Sequence, residues 1–203
     1  MSKTKLKIVI ATSNKGKIQE MVNAFENLSI ELISLAELPE KYPEPIEDGN
    51  TFKANSLIKA KYYQQQTGMA CLADDSGLEV EALGGTPGVY SARFAGESAS
   101  DDDNNAKLKQ ELRGIGKESS PAAYRCALTF MDTLGRILTA EGLCRGEIRL
   151  EARGENGFGY DPYFYVGGVT MAEMTLAEKQ AISHRGAALR EMAELLQDYF
   201  QEK

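Results

Sequence analysis

The chain has 203 residues, of which 42% are hydrophobic and 26% are charged, and it carries a net charge of −7. This composition is ordinary for a soluble globular protein with one substantial core, so we expect a single domain over residues 1–203. The negative charge argues against a nucleic-acid polymer as the partner, and no apolar run approaches the roughly 20 residues of a membrane span. Three cysteines without metal-binding spacing indicate reduced thiols and a cytoplasmic protein.

The first 34 residues predict a strand, a helix and a second strand. The apolar run KIVIAT, residues 7–12, is typical of a buried strand, and SIELIS, residues 29–34, predicts a second one. Between them, apolar side chains recur at the helical spacing i, i+3, i+4 and i+7. These side chains are Ile18, Met21, Val22 and Phe25.

A second helix is predicted over residues 51–68, after a loop that is rich in proline and acidic residues. Asn50 or Thr51 is suited to be its N-cap, and Gly68 is suited to end it. A short apolar strand, residues 71–73, then leads directly into two adjacent aspartates and a loop rich in glycine and proline.

The second half of the chain predicts a polar helix that begins near residue 100, followed by a strand with alternating faces. A turn at Leu134 and Gly135 leads into an antiparallel partner strand. The chain ends in helices, with a capping-box pattern at Thr175 and Glu178. Helices that flank a mixed sheet indicate an α/β protein and not a purely parallel Rossmann domain. The last helix has an apolar stripe of Leu189, Met192, Leu196 and Tyr199.

The loop after the first strand could bind phosphate. The helix that follows offers free N–H groups and the positive end of its dipole, and two lysines and three small polar side chains lie in the loop. The loop consists of Thr12, Ser13, Asn14, Lys15, Gly16 and Lys17. It lacks the G-x-x-x-x-G-K-[ST] pattern of a Walker A loop, so an ordinary capped turn is the alternative.

Acidic residues from two segments could hold a magnesium ion. Glu47 and Asp48 lie in the acidic loop, whereas Asp74 and Asp75 follow the short apolar strand. Carboxylates combined with substrate phosphate oxygens are suitable ligands for Mg²⁺, and such an ion could position a water for attack. For Glu47 and Asp48, the alternative is an acidic loop exposed to solvent. Asp75, between an apolar strand and Ser76, needs a partner or a function.

Two further stretches could recognise a planar base. The segment GENGFGYDPYF places aromatic rings and one carboxylate among three glycines, and it contains Phe158, Gly159, Tyr160 and Asp161. The segment EKQAISHRG holds the only histidine of the chain, His184, next to Arg185, with Lys179 before them. For the first segment, the alternative is a glycine-rich hairpin whose aromatic side chains pack into the core. For the second segment, the alternative is a histidine with a structural role.

Together these stretches resemble the inosine triphosphate pyrophosphatase family, which hydrolyses non-canonical purine nucleoside triphosphates. The matching segments occur in order over nearly the whole chain. They are TSNKGK, E-D-G-N-T-F-x-x-N, ADDSGLEVEALGGTPGVYSARFAG, GFGYDP and ISHRGAAL. One departure is Ser56, where the family usually has alanine.

The resemblance implies an elongated mixed β-sheet flanked by helices, in two lobes with a central active-site cleft, and a homodimer. It implies that Asp75 is the catalytic residue and a Mg²⁺ ligand, that Glu47 is a second metal ligand, and that Asp74 has a supporting role. Residues 12–17 would bind the triphosphate, and Phe158 would stack on the base. The other implied substrate-binding residues are Ser76, Gly159, Tyr160, Asp161, Lys179, His184 and Arg185.

The resulting hypothesis is a Mg²⁺-dependent nucleoside triphosphate pyrophosphatase that cleanses the nucleotide pool. Water would attack the α-phosphorus of inosine, deoxyinosine or xanthosine triphosphate and release pyrophosphate and the monophosphate. Two other functions stay open: a nucleotide-binding regulatory module without turnover, and a hydrolase that releases orthophosphate or accepts pyrimidine nucleotides. A module without turnover would have little need for both Glu47 and Asp75.

Overall fold

The computed structural model describes residues 5–201, so both ends of the predicted domain 1–203 lie outside the described residues. The helices are α1 Lys15–Ala24, α2 Phe52–Thr67, α3 Asp101–Gly114, α4 Leu176–Ile182 and α5 His184–Gln201. The strands are β1 Leu6–Ile10, β2 Ile30–Ser34, β3 Ala70–Val80, β4 Ser119–Met131, β5 Ile137–Arg149, β6 Phe164–Val166 and β7 Val169–Thr170. Within residues 5–201, no helix has both the length and the apolar character that crossing a membrane requires.

The strands form a seven-stranded sheet with the order β2-β1-β3-β4-β5-β6-β7. β1 is parallel to β2 and β3, whereas β6 is antiparallel to β5 and β7. The sheet is therefore mixed, and the predicted α/β class with flanking helices is confirmed. β1 is buried at the consecutive residues Ile8, Val9 and Ile10, because a parallel strand inside a sheet is covered on both faces. The predicted central cleft stays a prediction.

The described residues form two compact units. The first consists of the chain up to Asp75, residues 127–141, and the chain from Gly186 onward; the second consists of residues 76–126 and 142–185. Each unit has an apolar core of its own. The first core contains Ala11, Ala60, Tyr63, Cys71, Ala73 and Met131. The second contains Leu78, Val80, Leu108, Leu112, Ala122, Tyr124, Cys144, Ile148, Tyr160, Phe164 and Met171.

Several predicted local features are confirmed. Thr51 caps α2 by accepting from the Ala54 N–H at 3.1 Å, and Gly68 ends the helix with a φ of 65°. Thr175 and Glu178 form the capping box of α4. The three cysteines are buried and form no disulfide. The apolar stripe of α5, which consists of Leu189, Met192, Leu196 and Tyr199, is also buried.

The apolar stripe predicted for α1 is wrong at Val22, which is 42% exposed. Met21 and Phe25 are buried four residues apart, so they define the direction of the buried face. Val22 lies about 100° around the helix from Met21, which places it at the edge of that face.

Helix α2 buries polar as well as apolar side chains. Its buried residues recur every three or four positions, at Phe52, Asn55, Ser56, Lys59, Ala60 and Tyr63. Lys59 is therefore in phase with the apolar side chains and faces the interior of the first unit. This orientation brings a lysine side chain beneath the protein surface.

Ser56 joins α2 to β4 through buried hydroxyl groups. Its Oγ lies 2.7 Å from Thr129 Oγ1 and donates to the Lys53 carbonyl oxygen at 3.0 Å. Ser56 and Thr129 are both fully buried. Residues 126–131 of β4 are all buried, so this part of the strand is covered on both faces.

We expect Ser56→Ala to lower the free energy of unfolding by about 1–3 kcal/mol, because the Thr129 hydroxyl would stay buried after losing its partner. The double variant Ser56→Ala, Thr129→Val removes both polar groups and should cost less than the sum of the two single changes. Urea denaturation of the four proteins measures this. Strictly additive losses, or no loss in Ser56→Ala, would show that the contact does not stabilise the fold.

Candidate active site

A buried lysine lies between two of the predicted metal-binding acids in the first unit. Lys59 Nζ is 2.8 Å from Glu47 Oε2 and 3.2 Å from Asp75 Oδ1. The side chains of Lys59 and Asp75 are each 11% exposed and that of Glu47 is 23% exposed. We call Glu47, Lys59 and Asp75, together with Lys17 and Asp74, the acid cluster.

The charges of the acid cluster shift the ionisation of its members. Burial raises the pKa of Asp75, and the ammonium groups of Lys59 and Lys17 oppose this rise without cancelling it. Burial also opposes the charge of Lys59, but the carboxylates of Asp75 and Glu47 keep the pKa of Lys59 above its ordinary value. Lys59 is therefore a cation, and the charge of Asp75 is only partly compensated.

The two adjacent aspartates of β3 have different environments. Asp74 is completely buried and accepts a hydrogen bond from Lys17 Nζ, which links β3 to α1. Asp75 contacts Lys59 through Oδ1, whereas its Oδ2 is buried without a hydrogen-bond partner among the described residues. Successive side chains of a strand point to opposite faces, so neighbours in the sequence serve different partners. Asp75 thus has an open acceptor in a polar, charged setting.

The predicted phosphate loop is also a capped helix start. Asn14 Oδ1 accepts from the Lys17 N–H at 3.0 Å, and Thr12 Oγ1 accepts from the Asn14 N–H at 3.2 Å. Gly16 lies half-buried in the first turn of α1, and Ser13 and Lys15 are exposed. Among the residues of this loop, Lys17 is the one whose side chain contacts an acid of the cluster.

The second unit holds a phenylalanine ring flanked by two cations. Lys179 Nζ lies 4.4 Å, and the Arg185 guanidinium 5.6 Å, from the centre of the Phe158 ring. Lys179 also forms an ion pair of 2.7 Å with Asp161, and Arg185 Nη2 donates to Ser76 Oγ at 2.7 Å. We call these five residues the aromatic cluster. Cations over a ring face are favourable, and more so when they are desolvated.

The buried carboxylate of Asp161 accepts hydrogen bonds from two other members of the aromatic cluster. Its Oδ2 accepts from Lys179 Nζ and from the Phe158 N–H at 2.9 Å. A Cβ on Gly157 would lie 2.2 Å from the same oxygen, so the loop can approach the carboxylate only with glycine there. The predicted acceptor Asp161 is therefore engaged with protein donors and fixes the position of the ring.

The remaining predicted base-site residues are anchored by the protein, and His184 and Tyr160 are also buried. His184 stacks on Tyr124 with ring centroids 4.6 Å apart and an angle of 12° between the planes. The hydroxyl of Tyr160 donates to the Ser91 carbonyl oxygen at 2.8 Å, and the N–H of Gly159 donates to Asp101 at 2.7 Å. Tyr160 and Gly159 thus hold the loop that carries Phe158.

Comparison with known proteins identifies the family. A family model described as the Ham1 family matches residues 8–195. The chain belongs to the Ham1 family. A curated relative from Desulforamulus reducens, a dITP/XTP pyrophosphatase, is 48% identical over 193 residues, which are 94% of this chain and 96% of the relative. A second relative with that name, from Geobacter sulfurreducens, is 49% identical over 185 residues, which are 90% and 92% of the two chains.

Solved structures of Ham1 proteins have the same fold. The structure of a HAM1 protein from Coxiella burnetii matches with a TM-score of 0.86 and 40% identity, over 95% of this chain and 99% of the other. The resemblance stated from the sequence motifs is therefore confirmed, as is the fold class. The homodimer and the cytoplasmic location stay predictions.

Sequence reasoning missed two residues of this Ham1 protein, Lys59 in the acid cluster and Tyr124, which contacts Asp161 of the aromatic cluster. Lys59 was signalled by its phase on α2, where it lies seven residues after Phe52 and four before Tyr63. Tyr124 falls on the strand that is predicted to have alternating faces, a pattern that does not distinguish it from a core residue. Burial and the charge of Asp161, to which it also hydrogen bonds, raise the pKa of Tyr124 well above its ordinary value.

In chelator-containing buffer at pH 7, we expect Asp75→Asn to raise the Tm. A carboxyl group whose pKa is raised by folding stabilises the fold when protonated and loses that contribution as the pH rises through its folded-state pKa. The neutral amide avoids this loss, so the difference in Tm should shrink as the pH is lowered.

Asp74→Asn is the matched control, since it removes the carboxylate that pairs with Lys17 and should lower the Tm. Scanning calorimetry of both variants against the parent protein checks the sign. If Asp75→Asn were as destabilising as Asp74→Asn, the partly compensated charge at Asp75 would be disproved.

Proposed function

We propose that this Ham1 protein hydrolyses inosine, deoxyinosine and xanthosine triphosphates to the monophosphate and pyrophosphate, which makes it a hydrolase acting on acid anhydrides. The names of the relatives from Desulforamulus reducens and Geobacter sulfurreducens support this activity. The observation that carries the proposal is the acid cluster, in which Asp75 keeps one buried oxygen open beside a protonated lysine. Such an oxygen can take a proton from water.

The acid cluster fits a Mg²⁺ ion. Asp75 Oδ2 is a buried oxygen without a donor among residues 5–201, and the raised pKa of Asp75 shows that nearby cations do not fully compensate its charge. Magnesium ions in enzymes of phosphate chemistry are held by one or two carboxylates, with waters and substrate phosphates as the other ligands. Among residues 5–201 no group of three or more His, Cys, Asp or Glu side chains that could hold a metal ion occurs.

Glu47 and Asp75 would hold the ion. When bound, it would supply positive charge to the phosphate oxygens and increase the acidity of a water. Glu47 has a second function in the protein itself, because its ion pair fixes the ammonium of Lys59 next to Asp75. Removal of either carboxylate would therefore disturb the other.

The chain's own side chains supply the acid–base and electrostatic parts of the reaction. Asp75 accepts the proton of the water that attacks the α-phosphorus, and its raised pKa makes it a stronger base than an ordinary carboxylate. Lys59 and Lys17 provide fixed positive charge near that carboxylate, which stabilises negative charge that develops on the phosphate. Pyrophosphate departs with the bonding electron pair.

The aromatic cluster supports recognition of a 6-keto purine. Phe158 offers a ring face for stacking, and its position is fixed by Asp161 and Lys179. Arg185 carries only hydrogen-bond donors, which suit the oxygen at position 6 of hypoxanthine or xanthine. Adenine carries an amino group there, so two donors would meet, and sites of this kind can reject the mismatched analogue by about 10⁴-fold.

We expect the purified protein with Mg²⁺ to release pyrophosphate from inosine triphosphate, far faster than from adenosine triphosphate, and to stop when chelator is added. Product identification over a panel of purine and pyrimidine triphosphates measures this. Asp75→Asn is the control, and loss of the general base alone should reduce turnover by about 10²–10⁴-fold.

Each alternative function has its own outcome in this panel. Orthophosphate as the first product, or a preference for pyrimidine nucleotides, would indicate a different nucleotide hydrolase. Binding of inosine triphosphate without any product would indicate a regulatory module. Either result would contradict the proposed function.

A further inference from the structure

Asn55 lies on the buried face of α2, one helical turn before Lys59, and only half of its side-chain amide is paired. Its Oδ1 accepts a hydrogen bond from the Gly49 N–H at 2.8 Å. Its Nδ2 is buried and has no hydrogen-bond partner among the described residues, and the residue is 0% exposed. A buried donor without an acceptor is costly, so the structure calls for an oxygen at this position.

The loop that carries Glu47 is attached to α2 at two points. Lys59 Nζ binds the carboxylate of Glu47, and Asn55 Oδ1 binds the backbone of Gly49 two residues later. A Cβ on Gly49 would lie 2.6 Å from Asn55 Oδ1 and 2.8 Å from Ala54 Cβ. The close approach of loop and helix therefore requires glycine at position 49.

Lys59, one helical turn after Asn55, connects α2 to Asp75. Helical side chains lean towards the N-terminus of their helix, so the ammonium of Lys59 extends over the turn that carries Asn55. Lys59 holds Glu47 and Asn55 holds Gly49. These two loop residues are at most about 7 Å apart along the chain. Asp75 contacts the same ammonium through Oδ1, and its Oδ2 is the open acceptor.

We propose that Asn55 is a positioning residue for the Glu47 and Asp75 pair, an inference that rests on the proposed function. Its Oδ1 fixes the Glu47 loop on α2, and its Nδ2 donates to a water that also binds Asp75 Oδ2. Asn55 thereby sets how far apart the two carboxylates stand, and with it the affinity of the pair for a divalent cation. It does so without contacting the nucleotide.

The test compares Asn55→Ala and Gly49→Ala with the parent protein. Asn55→Ala removes the hydrogen bond to the Gly49 N–H and the proposed hydrogen bond to water. Gly49→Ala pushes the loop away from the helix without altering the chemical identity of any residue in the acid cluster. Calorimetric titration with MgCl₂ alone should show at least tenfold weaker Mg²⁺ binding in both variants. In turnover assays, the Mg²⁺ concentration for half-maximal rate should rise, and KM for the nucleotide at saturating Mg²⁺ should stay within about twofold.

Ser56→Ala is the matched control, because it changes the adjacent residue of α2 and weakens the fold without touching the Glu47 loop. Its Mg²⁺ affinity should stay within about twofold of the parent. If Asn55→Ala does not fold, the loop variant Gly49→Ala carries the test. Unchanged Mg²⁺ affinity in a folded Gly49→Ala, equal weakening in Ser56→Ala, or no Mg²⁺ binding by the parent would each overturn the proposal.

Failure of the proposed function would look different. In that case the parent would bind Mg²⁺, and Asn55→Ala and Gly49→Ala would weaken this binding, but no pyrophosphate would appear from any nucleotide. That result would leave the positioning role of Asn55 intact and would assign the metal-binding pair to another reaction.

Discussion

The first unit depends on one interaction, the ammonium of Lys59 held between the carboxylates of Glu47 and Asp75. Three charged groups with little solvent exposure are tolerable only when they are paired. Here one carboxylate oxygen stays unpaired, because Asp75 Oδ2 has no donor in the part of the chain that the structure describes. Such a carboxylate is poorly stabilised in the resting protein and therefore able to accept a proton or a cation.

The surrounding structure maintains this arrangement. Asn55 and Gly49 hold the Glu47 loop, and the pair of Ser56 with Thr129 holds α2 on β4. The second unit also contains a buried ion pair, that of Lys179 with Asp161. This ion pair fixes the aromatic ring of Phe158, whereas the ion pair of the first unit fixes Asp75, the general base of the proposed reaction. In both units a lysine that pairs with an aspartate is kept from solvent by the fold.

The fold class could be predicted from the sequence, because periodic apolar residues, caps and glycines are local signals. The roles of the candidate site residues followed from the family resemblance and stay predictions. Thr51, Gly68 and the capping box of Thr175 depend on residues a few positions apart. The role of Lys59 could not be predicted from the sequence. It depends on Glu47 in a loop and Asp75 in β3, which α2 contacts only in the folded protein. Tyr160 and Asp161 looked like free recognition groups, yet tertiary packing gives them the partners Ser91 and Lys179.

The most direct test of the central claim is to locate the oxygen that water contributes. Inosine triphosphate is hydrolysed with Mg²⁺ in ¹⁸O-labelled water, and the products are analysed by mass spectrometry after a single turnover. If the carboxylate of Asp75 directs water to the α-phosphorus, one ¹⁸O atom appears in the monophosphate and none in pyrophosphate. Label in the pyrophosphate would mean attack at the β-phosphorus and would contradict this account.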